Sequence, residues 1–229
     1  MKRKTQSRTI VEAAFGLKAH SGWAALVVLG RHEGELELVE RSRLELVEEA
    51  WAKQPYHAAE RLEPAEARRV VKRGIDAAKR IALREMRRAV KRTRASGFEV
   101  SGCGLLVGAP MPAWSVAEIL AVHFRMHTAE GVLFRQVLAE AAAACDVKLV
   151  AIPEKLLREH AEAALATKAS DLLKQIALLG KSAGPPWGKD QKDAALAAMI
   201  ALQRHRIVAL HKKDGKRIRK TFQPHRGCD

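Results

Sequence analysis

The sequence is poor in aromatic residues: Phe, Trp and Tyr make up 4% of its 229 residues, with a single tyrosine. A platform on which the bases of a single strand stack needs several aromatics on one surface, and this chain supplies few. Cysteine is scarce as well. Cys103, Cys145 and Cys228 are odd in number and form no Cys-x-x-Cys pair. This argues against a disulfide scaffold and a cysteine zinc site, and suits a reducing cytoplasm. No apolar run reaches the roughly 18 residues a membrane helix needs. The basic start Met1-Lys2-Arg3-Lys4 leads into polar residues, not an apolar signal core, so a cytoplasmic protein without a membrane partner is expected. Acidic residues are also in short supply: 26 Asp+Glu stand against 41 Lys+Arg, a net charge of +15. With 48% hydrophobic and 29% charged residues the chain reads as globular. So large a positive surplus in one domain points to a polyanion.

What is present is a regular succession of elements. Residues 9–18 form an apolar strand candidate, 23–30 a β-branched buried one, and 36–46 a third, giving a three-stranded antiparallel meander. Pro55 breaks the next segment, and Pro64 suits the first turn of a helix. Val71, Ile75, Ala78, Ala82, Met86 and Val90 then lay one apolar stripe along a long helix over 64–95, ended by Ser96-Gly97. A fourth strand covers 98–108. A helix is expected over 115–145 with a break near Thr128 or Gly131, then a fifth strand over 147–152. Helices follow over 154–166, 168–179 and 189–202. The loop 180–188 carries Pro185-Pro186-Trp187, read as a hydrophobic lid. Asp214-Gly215 between 206–210 and 217–222 is a hairpin signal. The expected organisation is a basic arm over 1–8, one α/β domain over 9–203 and a basic tail over 204–229.

Three strands, a helix, a strand, a helix, a strand and then helices is the element order of the ribonuclease-H-like superfamily. Local wording resembles its Holliday-junction-resolvase branch. Gly16-Leu-Lys-Ala-His-Ser-Gly22-Trp23 is similar to that branch's strand–turn–strand segment. Glu130-Gly-Val-Leu-Phe-Arg and Val147-Lys-Leu-Val-Ala-Ile-Pro-Glu154 are similar to its helix, strand and following turn. Asp190-Gln-Lys-Asp193-Ala-Ala-Leu-Ala-Ala resembles its closing helix. The resemblance implies a ribonuclease-H-like mixed sheet. It also implies a site where acids at the ends of the first and fourth strands and on the last helix hold two divalent cations. This sequence departs from that pattern. Lys18 stands in the first slot, the fourth-strand slot near 107–109 holds no acid, and Asp190 and Asp193 alone remain, three apart on one helix face. A lysine repels a metal, so the expectation is a retained fold without ordinary two-metal chemistry.

The long helix carries Arg68, Arg69, Lys72, Arg73, Lys79, Arg80, Arg84, Arg87, Arg88, Lys91, Arg92 and Arg94, opposed along its own length by Glu66, Asp76 and Glu85. Like charges at helical spacing repel, and phosphates that neutralise them gain from counterion release. With Lys216, Arg217 and Arg219 of the tail, these are the expected contacts to the backbone of a duplex or structured nucleic acid, without sequence readout. His123, His127 and Glu130 fall at i, i+4 and i+7, one helix face on which two imidazoles and a carboxylate can hold a transition metal. His20 and His57 are further histidines able to join a site. No metallopeptidase, serine-elbow or phosphate-loop wording occurs, and the glycines at 102, 104 and 108 read as a close backbone approach. No motif demands a cofactor. Two alternatives to a non-cleaving nucleic-acid binder stay open. One is a divergent metal-dependent nuclease or phosphotransferase using Mg or Mn through Asp190, Asp193, His20 and Lys18 with the other histidines. The other is a module whose cationic helix pairs with an acidic protein surface.

Overall fold

The computed structural model describes the backbone over residues 11–213 and side chains over 11–203. Its five strands are β1 (Val11–His20), β2 (Trp23–His32), β3 (Glu35–Glu45), β4 (Phe98–Val107) and β5 (Leu149–Pro153). They form one mixed sheet in the order β3-β2-β1-β4-β5. β1, β2 and β3 pair antiparallel, whereas β1, β4 and β5 pair parallel. This is the ribonuclease-H-like arrangement that the element order implies.

Strand alternation distributes the two faces. Ala13, Phe15 and Leu17 of β1 join Cys103 and Leu105 of β4 in a core closed by α2 (Pro64–Ala95) and α4 (His123–Ala144). The alternate positions Ala14, Gly16 and Lys18 face α7 (Lys189–Lys213), flanked by α5 (Leu157–Leu165) and α6 (Ala169–Ala183). Because both faces are covered, β2 can be apolar without alternation: Ala24 to Leu29 are at most 1% exposed. The stripe read along α2 is buried at Val71, Ala78, Ala82, Met86 and Val90, and Ile75 packs against the same core. Burial pushes the Cys103 thiol up to about 12, so this cysteine is a packing residue.

Two glycine contacts position the functional regions. A Cβ on Gly16 would lie 1.7 Å from the carbonyl oxygen of Ala194, and one on Gly104 2.2 Å from that of Ala197. The alanine-rich face of α7 therefore rests directly on the β1 and β4 backbones, which brings the first turns of α7 down to the end of β1. On the opposite layer, a Cβ on Gly74 of α2 would lie 2.6 Å from Pro55 Cβ, so the short helix α1 (Pro55–Ala59) seats closely on α2.

Two features differ from expectation. The helix over 115–145 breaks at 121–122 instead of near Thr128 or Gly131. Ser115 and Glu118 form a capping box that starts α3 (Val116–Leu120), and Val122 is extended. The break lets Ile119 and Met126 enter one small core against α1 and α2. Thr128 simply donates to the Phe124 carbonyl within α4. Second, α7 continues to Lys213, so 206–210 is helical where a hairpin strand is expected. The arm 1–8, Asp214-Gly215, 217–222, Lys216, Arg217 and Arg219 lie outside the described residues. The Trp187 loop, read as a hydrophobic lid, packs onto α6. Its indole covers Gly180 and donates to the Ile176 carbonyl at 3.1 Å, while Arg41 donates to the carbonyls of Gly184 and Pro186 at 2.8 and 2.6 Å. Among the described residues no helix is long and apolar enough to cross a membrane.

Candidate functional site

β1, β4 and β5 run parallel, so their carboxyl ends share one edge of the sheet, where α/β folds place ligands. Lys18 lies two residues before the end of β1. Its Nζ donates to Asp193 Oδ2 at 2.7 Å and lies 3.1 Å from Glu154 Oε1 and 3.2 Å from Asp190 Oδ1. Asp190 and Asp193 come from the first turns of α7, and Glu154 follows Pro153 at the end of β5. Lys189 sends a second ammonium to Asp193 Oδ2 at 2.6 Å. The His20 Nε2 atom is 3.1 Å from Asp190 Oδ2 but lacks hydrogen-bond alignment. The His20 ring stacks on Trp23 at 4.2 Å, and the Arg43 guanidinium lies 4.0 Å from the same indole's centre.

The geometry is that of an ammonium among carboxylates. An ammonium has three N–H donors, and three carboxylates stand within ion-pair reach of Lys18. Their separations are about 1 Å longer than the roughly 2.0–2.1 Å at which magnesium takes oxygen ligands. The lysine side chain is 7% exposed and Glu154 35%, so the cation sits inside and the acids form the rim. Burial pulls the Lys18 pKa down, but its hydrogen bonds to Asp193 and Glu154 outweigh this and hold it above the ordinary lysine value. Burial likewise raises the Asp193 carboxyl, yet the ammoniums of Lys18 and Lys189 hold it below the usual carboxylate range.

These shifts have defined pH windows. The Asp193 contribution is present above the unfolded carboxylate pKa, about 4, and is lost as pH falls through the lower folded value. The Lys18 contribution is present below the unfolded lysine pKa, about 10.4, and is lost only as pH rises through the higher folded value. Asp193→Asn is expected to cost about 1–3 kcal/mol at neutral pH, as for a hydrogen bond to a charged group. Urea unfolding from pH 7 to 2.5 should show the gap to wild type closing below about pH 4; a gap independent of pH would contradict the assignment.

All four residues expected at this edge, Lys18, His20, Asp190 and Asp193, are brought together. Two others were missed, Lys189 and Glu154. The expectation that Asp190 and Asp193 are the last acids is corrected: a third carboxylate arrives from β5 rather than β4. An acid directly after the proline that closes a parallel strand was the available signal. The β4 end itself holds no acid; a Cβ on Gly108 would meet the Arg135 guanidinium.

His123, His127 and Glu130 do not join this cluster. They lie on α4, across the sheet from α7, and no hydrogen bond or ion pair links the two groups among the described residues. Nor do the three act as one ligand set. The Glu130 carboxylate is 2% exposed and both its oxygens lie within 3.0 Å of His57 Nδ1, so it is buried behind a histidine. The expectation that only Glu66, Asp76 and Glu85 oppose the cations of α2 is also corrected. Lys72 pairs with Asp76, Lys79 with Glu140, Arg84 with Glu48 and Glu85, Arg88 with Glu85, Arg92 with Glu40 and Arg94 with Glu99. Arg73 lies over Trp51 at 4.5 Å. Acids from β3, the loop after it, β4 and α4 thus pair with four of the twelve named cations, a balance invisible along the helix itself, and Asp76 and Glu85 of α2 pair with two more. Arg68, Arg69, Arg80, Arg87 and Lys91 remain exposed with no ion pair among the described residues.

The strand order is that of a ribonuclease-H-like fold, and at its parallel strand ends a lysine is seated among carboxylates. No protein-family model matches the sequence, and no curated protein matches it. In structure the chain is similar to Thermus thermophilus RuvC in complex with a Holliday junction substrate, with 13% identity and a TM-score of 0.49 over 86% of this chain and 96% of that one. A second structure of Thermus thermophilus RuvC gives 14% identity and a TM-score of 0.45 over the same shares.

Proposed function

We propose that the protein binds duplex or structured nucleic acid through phosphate contacts and does not cleave it by two-metal chemistry, acting in the cytoplasm. The observation that carries the binding half is the set of exposed cations on α2 that form no ion pair among the described residues. Arg69, Arg80, Arg87 and Lys91 fall on one helix stripe, and from Arg69 to Lys91 the rise is about 33 Å. That is about one turn of a duplex. The net charge of +15 supports the same reading. The second half rests on Lys18, whose ammonium occupies the centre of the carboxylates that would otherwise attract a divalent cation.

Affinity for branched and linear duplexes and for folded RNA, measured by fluorescence anisotropy over a salt series, is expected to fall steeply with salt. Exchanging Arg69, Arg80, Arg87 and Lys91 for glutamine should flatten the log–log slope by about 3–4, near 0.9 per lost phosphate contact. Salt-independent binding, or a slope unchanged in the quadruple variant, would remove the reading; preference for an acidic protein over nucleic acid would favour a partner-binding module. Incubation with Mg or Mn should leave each substrate intact. Cleavage that Asp193→Asn abolishes would instead establish the divergent nuclease.

A further inference from the structure

We propose that His57, His123 and His127 form a binding site for a divalent transition metal of the zinc class, with Glu130 orienting His57. This site is separate from the Lys18 cluster and independent of nucleic-acid binding. One ring nitrogen of each histidine lies within 4.8 Å of the others. The Nε2 atoms of His123 and His127 are 3.1 Å apart, close to the spacing of about 3.3 Å between two nitrogens on one tetrahedral zinc, given zinc–nitrogen bonds of about 2.0–2.1 Å. Centroid separations of 5.1 and 4.5 Å place the His57 ring against both partners.

The chemistry of His57 singles out this cluster from an ordinary group of histidines. Its Nδ1 faces both Glu130 oxygens at 2.9 and 3.0 Å. An ionised carboxylate can only accept, so Nδ1 carries the proton, and the tautomer this fixes has its lone pair at Nε2. That Nε2 is buried and has no hydrogen-bond partner. A carboxylate behind a histidine, fixing its tautomer and raising its basicity, is the usual outer shell of a metal-bound imidazole. A buried acceptor without a partner is costly, and a cation at the junction of the three rings satisfies it.

The support is rigid on one side and adjustable on the other. His57 follows Tyr56 on α1, which Gly74 allows to seat on α2, and Met126 and Ala129 anchor α4 in the same small core. His123 and His127 are exposed, so their side chains can close the remaining distance. Three imidazoles without an oxygen ligand select zinc, cobalt, nickel or copper over magnesium or calcium. Three protein ligands leave a fourth position open to water or an exogenous group.

The test is calorimetric titration of ZnCl₂ into the full chain after EDTA treatment and dialysis, with thermal unfolding in parallel. One zinc per chain and a raised melting temperature are expected. His123→Ala and His127→Ala alter exposed positions and should each weaken binding at least a hundredfold without lowering the metal-free melting temperature. Glu130→Gln keeps all three ligands and should weaken zinc tenfold or more, whereas His160→Ala on α5 should leave it unchanged. Co²⁺ in place of zinc should give the intense visible absorption of a four-coordinate ion. Absence of zinc binding, or binding unaffected by Glu130→Gln and His57→Ala, would overturn the proposal, the latter by reducing the site to an exposed histidine pair. Should His57→Ala not fold, Glu130→Gln and the cobalt spectrum decide.

Discussion

Exchange of Lys18 for methionine is expected to lower stability at pH 7 by about 3 kcal/mol, at the low end of the range for breaking a buried ion pair. The side chain keeps its length and apolar stem, so packing changes little. Three carboxylates within ion-pair reach of one point lose their common cation, and Lys189 reaches only Asp193. The cost stays at the low end because the carboxylates are 20–35% exposed and water can solvate their outer faces. Two rescues follow. Acid should narrow the deficit as the carboxyls protonate, and millimolar Mn²⁺ should raise the melting temperature of the variant but not of the wild type. Lys18→Asp goes further: four carboxylates then face one another, so the metal-free protein should be weaker still and its response to Mn²⁺ larger. Urea unfolding and thermal melts with and without metal would show this. A Lys18→Met protein as stable as wild type at pH 7, or a wild type that Mn²⁺ stabilises as strongly as Lys18→Asp, would remove the ammonium from the centre of the account.

Gly16→Ala should be at least as damaging, although it adds one carbon. The new Cβ would lie 1.7 Å from the Ala194 oxygen and 2.8 Å from the Ala198 nitrogen. Both are helix backbone atoms, and no rotamer change removes them. α7 must lift from the sheet, which loosens its packing on β1 and β4 and withdraws Asp193 from Lys18. A loss of about 3 kcal/mol or more is expected, the upper end for overpacking. Gly131→Ala is the contrasting case. Its Cβ would find only the Arg135 guanidinium at 3.5 Å within an α-helix. It should stabilise by about 0.5–1 kcal/mol through helix propensity alone. Denaturant midpoints of the two variants compare directly; a harmless Gly16→Ala would mean that α7 does not lie as close to β1 as described.

Much of this architecture is legible along the chain. The strands were visible because apolar and β-branched residues recur in short runs between turn signals, and α2 because its apolar positions return every three or four residues. Lys18, Asp190 and Asp193 could be picked out because the resemblance to the resolvase branch implies a site at their positions. Glu154 escaped because a lone acid after Pro153 reads as an ordinary loop residue until β5 is seen beside β4. His57 was one histidine among several until α1 was placed against α4. The extent of α7 was misjudged because the apolar residues of 206–210 suit a strand as well as a helix.

Local pattern therefore determined the order of the elements and the buried face of α2, and the family resemblance pointed to the cation near the end of β1. Only the tertiary structure decided the company that cation keeps, the grouping of three histidines over Glu130, and which arginines of α2 are already neutralised. The reason is physical. Periodicity reports how a side chain points relative to its own helix or strand, whereas an ion pair or ligand set depends on what another element, up to 175 residues away along the chain, brings opposite it.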